Sequence, residues 1–479
     1  MILKDLICGR ELQLPRGSAG GLGSRELELP PTSAEKFSHP RKNEVKRLIM
    51  LMGVSLGAVC GLAADWRDSG GVFPLDNFLA RGDLWGMTTN DLVPALRPGR
   101  FTWLDEEKTT ALGGKWMRLS FLNFPVWEAQ VRLESNRVNR VELSFYNRGD
   151  AGDLSAGDFE KLLNRVIWAL TNWTASAGTA LPDLAGAAHT KVQRAMWLRP
   201  PSRLELEWST SKPHLEGGKQ TLYRSEFIRL KVLPVTAPTN VAPPKLVTWQ
   251  TVFALRKRVQ SLDDGDTFIA GVPMVDQGFK GYCAAAVIAR LMRYYGKDFD
   301  QHDAAQLAGT TAQEGTRNLS MKDALKKLAQ QNGLHFQAAQ EADIQRLVTD
   351  YNLAATLARK PKVQLAHNLD TMLLGMDREL LLKIRGRNQA AATVFKDLVS
   401  KSIANGLPVV WHVYLGLFAE PGMWPMQGAH ARLIIGYNKK SGDILYTDTW
   451  GRGHELKRMN VEEAVAITLG LYVIKPPNA

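Results

Sequence analysis

The sequence predicts an α+β protein in two regions, on three observations. Between Trp66 and Leu233, short runs alternate apolar and polar residues with a period of two, broken by one long amphipathic helical pattern. Pro234 to Lys245 reads PVTAPTNVAPPK, a proline-rich linker. Beyond residue 249, helical patterns come first and apolar strand patterns follow, the order of a segregated α+β domain. The predicted organisation is therefore an α+β region over 65–233 with a twisted antiparallel sheet, a linker over 234–248, and a second α+β domain over 249–479.

Composition narrows the function classes. Hydrophobic residues make up 45% of the 479 and charged residues 23%, ordinary globular usage that excludes wholesale disorder, collagen and coiled coil. A mean hydropathy of −0.19 excludes a polytopic membrane protein. The net charge of +12 is spread over the chain without a dense Lys/Arg tract, so no nucleic-acid partner is implied. Three cysteines make neither a disulfide scaffold nor a zinc site, and no cofactor or metal is expected.

Lys46 and Arg47 precede an uncharged run, Leu48 to Ala64, that ends in small residues. Residues 45–64 thus read as a secretory signal cut after Ala63 or Ala64, for a secreted or periplasmic product. An uncleaved run would leave a membrane anchor, and Val59 before Cys60 argues against a lipoprotein. Residues 1–44, rich in Gly, Pro and Ser and placed ahead of the signal, read as an extension from a wrongly chosen start codon or as a disordered segment. Export would also remove Cys8 and Cys60. Cys283 would then be a lone thiol in an oxidising compartment, where a thiol must be buried or used.

In the first region Thr88 opens a helix through Leu96. Strands follow at 117–121, 129–134 and 139–145, then a helix from Ser155 to Trp173, then strands at 203–208 and 226–233. Nine of the thirteen tryptophans lie between Trp66 and Trp208, which reads as packing on a sheet. The second region opens with a basic helical stretch at 251–261. A helix from Cys283 to Tyr295 is apolar almost all round and so should be buried. Further helices are expected at 302–308, 320–331, 341–349 and 391–404. Strands are expected at 407–415, 429–437 and 443–447, with a closing helix at 461–468 and strand at 470–475.

Cys283 stands at the start of its helix, where partial positive charge and unpaired N–H groups favour a thiolate. Gln277, six residues earlier, can place its amide over the thiol and bind a developing oxyanion with the Cys283 N–H. A thiolate nucleophile needs a base held by a third group. His302, His335 and His367 sit in polar or helical surroundings and read as surface residues. His412 lies in an apolar strand as a core or cleft-wall residue, and His454 falls in a turn. His430 enters the strand ARLIIGY, whose neighbour ends at Asp448. A hairpin folding back near residues 440–441 brings these two side chains to the same end.

The order Gln277, Cys283, His430, Asp448 resembles that of the papain-like cysteine peptidases, closest to stand-alone relatives of the bacteriocin-leader-processing peptidases. VPMVDQGFKGYCAAAVIARLMRYYG (272–296) and GAHARLIIGYNKKSGDILYTDTWG (428–451) carry the resemblance, which covers the second region only. It implies a papain-like domain with a Cys-bearing helix on an antiparallel sheet. It also implies Cys283 as nucleophile, His430 as general base and acid, Asp448 as its orienter and Gln277 as oxyanion donor. Trp450 matches the aromatic residue that shields the His–acid pair, and a peptide or protein is the implied substrate. Ala284 departs from the Trp or Tyr that follows the nucleophile in papains, and no transporter segments follow. A cell-wall amidase with a similar triad and a non-catalytic binding protein are the competing readings. The first region could inhibit, present substrate or anchor a partner.

Overall fold

The computed structural model describes residues 71–476, apart from 186–190, 212–214, 217–218, 221–222, 238–248, 279, 298, 311–317, 367–368, 422 and 424–425. The expected extension at 1–44, the signal at 45–64, most of the linker and His367 lie outside the described residues. Among the described residues no helix is long and apolar enough to cross a membrane.

The chain is mixed α+β with antiparallel sheets. The first eight-stranded sheet runs, in spatial order, 102–103, 110–113, 128–134, 137–147, 224–234, 202–211, 191–199 and 179–185, antiparallel throughout. Its strands alternate as their period of two requires. Leu204, Leu206, Leu230 and Val232 point to one side and are fully buried. The helix Ala156–Thr174 belongs to this region, with Val166 and Leu170 buried. The Ser155 hydroxyl caps it by accepting from the Asp158 N–H, and Trp197 Nε1 donates to Thr171 Oγ1 at 3.1 Å.

The alternate positions are charged yet also buried: Arg203, Glu205 and Glu207. Glu207 takes Arg229 Nε at 2.7 Å and Lys231 Nζ at 2.8 Å, and a buried carboxylate needs such partners. The helix Gln301–Ala308 lies against this charged face. Gln301 and Gln306 donate to Glu128 and Ser209, and Asp303 lies 3.8 Å from Arg229. His302 is therefore buried, its Nε2 3.5 Å from Glu128 and its Nδ1 against Asn147. Its expected surface position is corrected: polar neighbours in sequence here mean a polar interface. His335 is exposed, as expected.

The second sheet orders 259–261, 266–269, 428–438, 409–415, 468–475 and 335–341, with 444–447 also pairing 428–438. All these pairs are antiparallel. Two expectations fail here. The stretch 251–261 is helical only over Val252–Arg256, after which Val259–Ser261 pairs with Asp266–Ile269. The helix expected at 341–349 begins instead at Ile344, with Asp343 as its cap, and runs to Ala358, because His335–Glu341 is an edge strand. That strand is exposed along most of its length, so it lacks the alternation that marks half-buried strands. The sheet consequently draws strands from both ends of the region, not only from its second half.

The helix Cys283–Tyr294 is buried around its circumference, as its apolar composition requires. Its apolar side chains join those of 409–415 and 428–438 in one core.

In the first region, Leu206→Ala should cost about 2–5 kcal/mol in urea unfolding. A loss under about 1 kcal/mol would contradict the burial described.

Candidate active site

Cys283 is the first residue of its helix, partly exposed, and the only free cysteine among the described residues. Burial alone would push its thiol up. His430, by hydrogen bond and by charge, and the backbone N–H groups of Ala431 and Ala284 outweigh that and hold it below the usual thiol range.

His430 lies on strand 428–438, one strand in from 444–447. Its Nε2 is 2.6 Å from Asp448 Oδ1, which leaves Nδ1 for the thiol. Burial would lower the imidazole. The charge and hydrogen bond of Asp448, reinforced by Cys283, instead raise it to about 9. A raised imidazole beside a lowered thiol favours the proton on nitrogen over sulfur.

Asp448 has no exposed surface. Burial opposes its ionisation, but the charges of His430 and Arg432 hold it well below the usual carboxylate range. Its Oδ1 also accepts from the Thr449 N–H at 2.8 Å. Arg432 Nε lies 2.7 Å from Oδ2, and its Nη1 lies 2.9 Å from Glu420. Neither contact is aligned as a hydrogen bond, so the guanidinium acts here by charge. It also sits over the Tyr446 ring, 4.6 Å from its centroid.

Trp450 stacks flat on the His430 ring, with centroids 4.3 Å apart and planes 4° apart. It covers the imidazole, and the His454 ring meets the Trp450 ring edge-on, with centroids 5.7 Å apart. His454 lies in the expected turn. Burial, then the nearby Lys457, lowers its pKa.

Gln277 is buried and its amide is fixed from both ends. Thr449 Oγ1 donates to Oε1 at 2.5 Å, and Nε2 donates to the Lys280 carbonyl at 3.0 Å. The Gln277 N–H also donates to the Thr449 carbonyl at 2.8 Å. Of the two amide N–H donors, one remains for a ligand.

Sequence reading missed the residue that ties these segments together. Arg290, two turns along the Cys283 helix, is buried. Its Nη1 donates to the Asp448 carbonyl at 2.5 Å, its Nη2 to Thr447 Oγ1 at 2.6 Å and its Nε to the Pro273 carbonyl at 2.8 Å. One side chain thus joins the Cys283 helix to the end of strand 444–447 with Asp448, and to the approach of the Gln277 loop. Burial lowers its pKa to about 10, still cationic at neutral pH. An arginine inside an otherwise apolar helix was the available signal, as was Arg432 within ARLIIGY.

His412 lies beside this group, on the strand that pairs with 428–438, where it faces Ala431 in register. Burial, then the charge of His430, lowers it to about 4, so it is neutral. Among the described residues no group of three His, Cys, Asp or Glu side chains could hold a metal ion.

His430→Gln should slow iodoacetamide alkylation of Cys283 at about pH 6.5 by tenfold or more, with the rate profile shifted up toward a free thiol's pKa of about 8.5. An unchanged profile would show that the imidazole does not set the thiol's ionisation. Neither a scan of protein-family models nor a search of curated proteins finds a match to this chain.

Proposed function

We propose that this chain is a cysteine peptidase of papain-like architecture, exported when its signal segment is used, that hydrolyses peptide bonds through an acyl-enzyme. The observation that carries the reading is the set Cys283, His430 and Asp448, with the acid 2.6 Å from the imidazole and the imidazole and thiol close enough that each shifts the other's ionisation. The Cys-bearing helix packed on an antiparallel sheet that carries the histidine adds support at the level of architecture.

In this mechanism the Cys283 thiolate attacks the scissile carbonyl carbon. The carbonyl oxygen becomes an oxyanion and takes hydrogen bonds from the free Gln277 amide N–H and the Cys283 N–H. Collapse breaks the C–N bond as the His430 imidazolium gives its proton to the departing amine. The neutral imidazole then removes a proton from water, whose oxygen attacks the thioester. Breakdown of that intermediate releases the acid and restores the thiolate–imidazolium pair. Asp448 holds the ring and stabilises its charge, and Trp450 keeps water from that contact.

A peptide-library digest tests the proposal. The wild-type protein should cleave a subset of sequences, and Cys283→Ala should cleave none while keeping nearly the same thermal midpoint. Gln277→Ala should lose about 10²–10³-fold in kcat. Cleavage retained in Cys283→Ala would overturn the assignment. Release of peptide from cell-wall fragments in place of cleavage within linear peptides would favour the amidase reading.

A further inference from the structure

We infer that the first region is a built-in part of the catalytic centre, reaching it through Lys115, which acts as a positioning residue; the inference rests on the peptidase reading above. Lys115 follows the strand Thr110–Gly113. Gly114, at φ +100°, turns the chain there. A Cβ at that position would lie 2.4 Å from the Trp127 carbonyl oxygen, so the turn requires glycine. Lys115 Nζ leaves the first region and donates to Asp276 Oδ2 at 2.7 Å and to the Trp450 carbonyl at 3.2 Å.

Those two acceptors belong to the segments that carry the chemistry. Asp276 immediately precedes Gln277, and Trp450 is the ring stacked on His430. The segments already touch, since a Cβ on Gly451 would lie 2.5 Å from Asp276 Oδ2. Lys115, with a side chain only 10% exposed, bridges them with a desolvated charge.

The rest of the Cys283 loop is braced from the same side. Lys280, whose carbonyl holds the Gln277 amide, places its buried ammonium 2.8 Å from Glu128 and 3.2 Å from Asp150. The Tyr282 hydroxyl donates to Asn147 Oδ1 at 2.7 Å. The Tyr282 ring packs so closely on Gly149 that a Cβ there would overlap it. From Asp276 to Tyr282 the loop is thus held by charges and a ring contact from the first region, while Cys283 itself stays partly exposed. These are the contacts of a brace, not of a segment laid over the thiol.

The test uses the full chain with Lys115→Met and Lys115→Arg. It reads iodoacetamide alkylation of Cys283 at about pH 6.5, and kcat and KM on a peptide the wild type cleaves. In Lys115→Met, release of Trp450 lets water reach the His430–Asp448 contact and weakens the imidazolium that supports the thiolate. Alkylation should slow by about 5–20-fold, and kcat should fall by about 10²-fold with KM changed less than about threefold. Lys115→Arg, which keeps the cationic donor, should recover most of both. Wild-type rates in Lys115→Met would overturn the inference. So would equal losses in both variants together with a large drop in thermal midpoint, the pattern of a packing role alone. If the wild type alkylates rapidly but cleaves no peptide, the peptidase reading fails and the alkylation comparison alone decides the role of Lys115. Cutting an engineered site within 238–248 gives a second measure. The fragments should co-elute with unchanged alkylation, and turnover that rises as they separate would identify an inhibitory pro-region instead.

Discussion

The burial of the Asp448 carboxylate is the constraint on which the rest of the site depends. A carboxylate without exposed surface is costly unless opposite charge surrounds it. His430 supplies that charge at one oxygen and Arg432 at the other, while Arg290 fixes the backbone carbonyl of the same residue. Removing one partner of such a buried group leaves an uncompensated charge, typically about 3–5 kcal/mol. The ionised acid is therefore part of the folded core, and it keeps the imidazole protonated beside the thiol. Stability and the proposed chemistry draw on the same interaction.

Arg290 has a comparable part in geometry. Cys283 comes from a helix and His430 from a strand 147 residues further along the chain, so the proposed chemistry depends on how the two elements are held together. A shift of about 1 Å between them would be costly for catalysis. Three hydrogen bonds from one buried guanidinium to two other chain segments limit such a shift more effectively than apolar packing alone, because each is directional.

Much of this was legible in the sequence because it is local. The helix beginning at Cys283, the hairpin that brings His430 to Asp448 and the longer central strands, such as 137–147, 202–211, 224–234, 409–415 and 428–438, follow from periodicity and turn residues. The parts that were not legible are long-range or lack a periodic signal. His335–Glu341 is an exposed edge strand and reads as neither helix nor half-buried strand. His302 is polar in sequence and buried in the fold, because the sheet face opposite it carries charges that sequence alone cannot pair with it. Lys115 and Lys280 find their partners 161 and 152 residues away, so nothing near either lysine announces its role.

If the account holds, the ionisation of one sulfur is controlled by a carboxylate it does not touch. The most direct measurement is an ultraviolet thiolate titration of Cys283 in the wild-type protein and in Asp448→Asn, which keeps the side chain's shape and removes its charge. In Asp448→Asn the midpoint should move up toward that of an ordinary cysteine, about 8.5. The same low midpoint in both proteins would mean that the helix terminus alone sets the thiol's ionisation, and that the His430–Asp448 pair has no part in preparing the nucleophile.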